Sequence, residues 1–184
     1  MAKQFDAISD DHKSFIEAQH LFFVGTAATA GRVNVSPKGM DSLRVLGANR
    51  MIWRNLTGSG NETAGHLLDI NRITLMWCGF ETRPLILRIY GKAETLHPRD
   101  AAFEALNAQF PPNPGARQIF DVKVELVQAS CGYAVPFLDY AGERDVLEKW
   151  AEGKGDTGIA THWRAQNQET IDGMPTGILG DDAR

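Results

Sequence analysis

The chain has 184 residues, a length that predicts one domain spanning 1–184. Apolar residues make up 43% and charged residues 23%, which suits a packed core and excludes a disordered chain. Nineteen Lys and Arg against 23 Asp and Glu give a formal net charge of −4 with no basic block, which argues against nucleic-acid binding.

The opening run, MAKQFDAISDD, lacks the apolar core of a signal peptide. The longest apolar stretch starts at Leu21 and is broken at Gly25 and Thr26, far short of a membrane helix. Cys78 and Cys131 lie in apolar contexts without a CxxC pair, so two reduced, largely buried thiols are expected. These features predict a cytoplasmic protein with neither membrane nor nucleic acid as partner.

In chain order, Ser9, Asp10 and Asp11 start a helix over about Ile8–Gln19 with Phe15 and Ile16 on its apolar face. Leu21–Ala27 reads as a buried strand. Arg32–Ser36 alternates as a second strand after the Ala30-Gly31 turn, and Pro37 should end it or make it irregular. Leu43–Leu46 and Met51–Leu56 are two more strands, followed by a polar loop, TGSGNET, and a helix over about Glu62–Ile70. Ile73–Cys78 and Leu85–Leu96 are strands. Pro98 opens a helix bearing Phe103, Leu106 and Phe110, which the PPNPG run stops. Phe120, Val122, Val124 and Leu126 then alternate with Asp121, Lys123, Glu125 and Val127 over one strand, which should have one dry and one wetter face. Glu143–Glu152 is helical, and a last helix is expected over about Ile159–Gln168. Strands that follow one another without long helical crossovers predict a mainly β (α+β) fold, an antiparallel sheet closing into a small barrel with short peripheral helices. The barrel core should span about 20–135, with a helical tail over about 143–184.

The stretch that points to chemistry is Met51–Ile70, a strand, a loop of small polar residues and a helix start. A helix N-terminus offers unpaired N–H groups and the positive end of the dipole, which suits phosphate, and glycines let the backbone approach closely. Ser59 and Glu62 are equally spaced as a capping box, in which case the loop only caps its helix. Lys38 and Arg54 are the nearest cations in sequence-adjacent strands. Each is either a groove cation or a solvated side chain.

The segments VNVSPKG (Val33–Gly39), MIWRNLTGSGNETAGHLLDINRITLMW (Met51–Trp77) and LILRIYGKAE (Leu85–Glu94) together resemble the flavin-binding split barrel of the pyridoxamine 5′-phosphate oxidase-like family. The resemblance covers about residues 20–130. It implies an antiparallel split β-barrel, a homodimer with FMN in a groove at the subunit interface, and an oxidoreductase acting on a small-molecule substrate or electron donor. Carried over by position, the implied FMN contacts are Ser36, Lys38, Arg54, Asn55, Thr57, Ser59, Gly60, Asn61 and Thr63. The oxidases carry an Arg-Lys pair where this chain has Gly60-Asn61-Glu62-Thr63, and an Arg-x-His element where it has His162 and Arg164 in reversed order. The implied relative is therefore not a pyridoxamine phosphate oxidase itself. A non-catalytic flavin store, a deazaflavin-dependent enzyme and a haem-binding barrel are the alternatives. No metal site is expected, because the five histidines lie apart without ligand spacing. Trp53, Trp77, Trp150 and Trp163 read as packing residues, and Ser130–Tyr133 and Arg83 as further candidates for a pocket lining.

Overall fold

The computed structural model describes residues 2–81 and 83–180. It contains eight strands, β1 (Lys3–Phe5), β2 (Phe22–Thr26), β3 (Asn34–Lys38), β4 (Leu43–Gly47), β5 (Arg50–Leu56), β6 (Ile73–Cys78), β7 (Leu85–Leu96) and β8 (Ala116–Cys131). Four helices accompany them: α1 (Asp10–Glu17), α2 (Glu62–Asp69), α3 (Phe103–Asn107) and α4 (Val146–Gln166). All strand pairs are antiparallel, in the order β3-β2-β6-β7-β8-β5-β4, with β1 beside β8.

The sheet curls into the expected barrel. Three strands separate Phe22 of β2 from Trp53 of β5 in that order, yet their rings meet edge to face at 6.1 Å. Trp53 also stacks on Phe120 at 4.7 Å, and Phe22 on Trp77 at 5.8 Å. These four aromatics, with Val24, Leu75, Leu87, Ile89 and Val122, fill the interior. Such ring pairs add about 0.5–1.5 kcal/mol each beyond simple burial. The alternation read in β8 holds from Phe120 through Val124, with Phe120, Val122 and Val124 turned into this core, but a bulge opposite Tyr90 and Gly91 then shifts the parity, so that Val127 and not Leu126 is buried.

A second, smaller core lies outside the barrel wall, where Ile52 and Ile119 meet Leu96, Phe103 and Phe110. It explains why β5 is apolar on both faces: Met51 and Trp53 point inward, while Ile52 packs under α3.

Several boundaries differ from expectation. β3 runs through Pro37 to Lys38, because β3 is an edge strand and needs hydrogen bonds on one side only. The helix expected from Pro98 is confined to Phe103–Asn107, with turns before it. The two expected C-terminal helices follow one another directly within Val146–Gln166, joined at Gly155, whose backbone is non-helical (φ 57°, ψ 177°), a conformation open to glycine alone at no cost. The expected tail continues as an ordered segment, bridged from Glu169 to Pro175 and carrying buried Thr170, Thr176 and Ile178. Its expected end beyond residue 180 lies outside the described residues. Cys78 is half-buried, but Cys131, at the end of β8, is exposed and not buried as expected. Among the described residues, no helix is long and apolar enough to cross a membrane.

Candidate anion-binding cleft

A cleft of about 760 Å³ opens where β3, the end of β5 and the start of α2 converge. The loop between β5 and α2 forms its floor, and the segment after α4 forms its far wall.

The helix start is left open. Asn61 is the N-cap residue of α2, but no side chain caps the helix. The first N–H groups of an α-helix have no partner within it. The capping box suggested by Ser59 and Glu62 does not form. Both carboxylate oxygens of Glu62 instead accept the Ile171 N–H, at 3.1 Å each, so the tail has taken the acid that would otherwise close the helix end.

Two cations face the cleft. Arg117 is 2% exposed. Its Nη1 donates to the Gly60 carbonyl at 3.0 Å and to Asn167 Oδ1 at 2.8 Å, both neutral. Burial pushes Arg117 down to about 9. Lys38 lies with its Nζ 5.2 Å from the centre of the Trp53 ring. Burial, and then the charge of Arg117, push it down to about 8. Neither makes an ion pair among the described residues. Two cations and the positive end of α2 thus converge without a direct ion pair, although Glu62 and Glu169 also line the cleft. An anion relieves that cost.

Buried polar atoms at the cleft are also short of partners. Asn55 Nδ2 donates to Gln118 Oε1 at 3.1 Å, yet Asn55 Oδ1 and Gln118 Nε2 have none, and neither do Asn61 Oδ1 and Arg117 Nε. An unsatisfied buried group costs about 1–3 kcal/mol, so such a cluster at one opening reads as donors and acceptors held for a bound molecule.

Of the nine residues singled out in the sequence, Ser36, Lys38, Asn55, Ser59, Gly60, Asn61 and Thr63 line this cleft together. Thr57 lies beneath the loop and is fully engaged. Its N–H and Oγ1 both bond the Gly115 carbonyl, and Oγ1 accepts from Trp163 Nε1 at 2.9 Å. Arg54 is not among the lining residues. It sits on the outer face of β5 with Ile52, its guanidinium 4.8 Å over the Phe110 ring and its Nη1 donating to the Pro111 carbonyl at 2.6 Å. Trp53 and Trp77 are core residues, and Trp163 is tied to Thr57. Ser130–Tyr133 do not reach the cleft. Gly132 is there because a Cβ would lie 2.9 Å from the Pro84 and Leu85 backbone. Arg83 pairs with Asp11. His162 turns to the Gly58 carbonyl at 3.2 Å. Among the described residues no cluster fit for a metal ion occurs.

The cation that sequence reasoning missed is Arg117. Its two partners lie 57 and 50 residues away, so only the folded chain brings them together.

Comparison with known proteins bears on the same region. The family model described as pyridoxamine 5′-phosphate oxidase matches residues 8–131. An Aspergillus flavus protein named pyridoxamine 5′-phosphate oxidase family protein ustO is 31% identical over 189 residues, covering 93% of this chain and 76% of that protein. Among solved structures, a variant of HupZ from Group A Streptococcus superposes with a TM-score of 0.53 at 22% identity, over 67% of this chain and 99% of that one. A Clostridium acetobutylicum protein of the pyridoxinephosphate oxidase family, related to general stress protein 26, gives 0.52 at 16% identity, over 66% and 86%. At these identities the two structures speak for the fold, the antiparallel split barrel described above.

Proposed function

Since the chain belongs to the pyridoxamine 5′-phosphate oxidase family, we propose that it is an FMN-binding oxidoreductase working as a two-fold dimer, with the cleft between β3 and α2 as the flavin site. The observation that carries this reading is the presence of Lys38 and Arg117, neither in an ion pair among the described residues, beside the uncapped start of α2. Arg117, Thr63 and the backbone of Ser59–Asn61 would hold the phosphate. Ser36, Lys38 and Asn55 would line the rest of the cofactor. Bound FMN supplies hydride or electron transfer at its ring system. The protein supplies the cradle: Trp163 and Thr57 fix the loop, Glu62 keeps the tail alongside, and Lys38 offers a positive charge in a desolvated setting where its pull on an anion is strong.

The dimer is supported by the apolar residues left bare around the cleft. Val33 is 71% exposed, Val35 66% and Ile171 71%. Bare apolar groups grouped at a ligand cleft are what a second subunit would cover.

The deciding experiment is the absorption spectrum of purified protein after incubation with FMN and desalting. Retained flavin bands at about one per subunit are expected. A colourless protein would overturn the flavin reading and leave the barrel with another anionic ligand. Flavin retained without turnover across nicotinamide donors would select a storage role over an enzyme.

A further inference from the structure

A second cleft, of about 820 Å³, lies on the other side of Lys38. Its walls are apolar: Leu21, Pro37 and Met40 on one side, Val146, Leu147 and Trp150 of α4 on the other. Tyr140 roofs one end, stacked flat on His20 with ring centres 3.5 Å apart and planes 6° apart. The Trp150 indole is held on edge by His162 at 5.1 Å. Lys38, Gly58 and Ser59 belong to both clefts, so the two cavities meet there.

The charges around this second cleft are uneven. Its one acid, Glu143, already accepts the Tyr140 hydroxyl at 2.9 Å. Arg144 also lines it and makes no ion pair among the described residues. The wall from Tyr140 to His162 lies outside residues 8–131, the part matched by the family model. One wall of the cleft is therefore built by the segment that follows the part matched by the family model, and the other by residues within it.

We propose that this second cleft takes the substrate, a planar aromatic molecule carrying a carboxylate or similar acid. Flat apolar walls favour ring systems, and Arg144 is free to pair with the acid. The junction at Lys38 would bring the ring to the edge of the flavin cleft. Its role as substrate pocket rests on the flavin reading, whereas the binding itself does not.

The test uses 2-naphthoate and its neutral analogue 2-naphthamide, titrated calorimetrically into the full chain. One 2-naphthoate per subunit is expected, with a Kd on the order of 100 µM for a ligand of this size. The amide should bind about tenfold more weakly. Leu147→Glu should weaken 2-naphthoate by roughly tenfold or more, while Arg144→Gln should erase the preference for the acid over the amide. Absence of binding, or equal binding to Leu147→Glu, would overturn the site. Equal binding of acid and amide would overturn the acid. In FMN-loaded protein, 2-naphthoate should shift the flavin absorption. Binding without that shift would overturn the substrate role. Failure to retain FMN with naphthoate binding intact would sink the flavin reading, and the substrate role with it, and leave the binding site standing.

Discussion

Lys38 and Arg117 carry the sharpest predictions at the level of single residues. Replacing Arg117 with Met keeps most of its volume and removes its charge, and FMN affinity should fall by roughly tenfold or more, the weight of a charged hydrogen bond. Arg54→Met should leave FMN affinity unchanged within about twofold and instead cost about 1 kcal/mol in urea unfolding, from the lost Pro111 bond and Phe110 contact. Lys38 is held down to about 8, so its charge is present below that pH and lost above it. FMN affinity should therefore weaken from pH 7 to pH 9 in the wild type, and this pH dependence should shrink in Lys38→Met to the part that Arg117 contributes as the pH nears 9. His97 is a stability switch of the opposite kind. Burial, with Arg99 nearby, holds it down to about 4, so the folded protein keeps it neutral while the unfolded chain protonates near 6.5. Stability from this group is complete above about pH 6.5 and falls as the pH drops toward 4. Urea midpoints at pH 7 and pH 5 should differ less in His97→Gln, by an amount of the order of 1 kcal/mol.

Among the elements, α2 and the tail act as one unit. Gly65 faces the tail so closely that a Cβ would lie 2.4 Å from Thr170 Cγ2 and 3.3 Å from the Pro175 carbonyl. Alanine normally favours a helix by about 1 kcal/mol over glycine, but here overpacking should win and Gly65→Ala should destabilise by about 1–2 kcal/mol. Thermal melts of the two proteins decide the sign. The strands were the most legible part of the sequence, because alternation in β8 and the apolar run of β2 follow directly from burial on one or two faces. β1 was not legible: Lys3–Phe5 is exposed throughout and owes its conformation to pairing with β8. The parity of β5 was hidden because Met51, Ile52 and Trp53 are all apolar, which left Arg54 assignable to either face until α3 and Phe110 were seen to cover the outer one. The loop residues from Ser59 to Thr63 were readable from local chemistry, while Arg117 was not, since its place depends on Gly60 and Asn167.

For the molecule as a whole, the proposed dimer buries the bare valines beside the cleft. Val35→Asp should yield a monomer in sedimentation equilibrium and lose FMN with it, because each site would lack its second wall. A dimeric Val35→Asp that still retains FMN would place the subunit contact elsewhere. The barrel itself should be unaffected, since Val35 lies outside both cores.

Pro37 bears on how such copies can meet. β3 is one end of the sheet, paired only with β2. A free edge of this kind is a template on which identical strands can stack into fibrils. Proline has no N–H to offer an incoming strand, so the outward ladder of β3 lacks a rung one residue before the strand ends at Lys38. The chain can thus keep a cleft-lining edge open to solvent during synthesis without inviting open-ended polymerisation, and any association of copies is steered toward closed pairing through side chains.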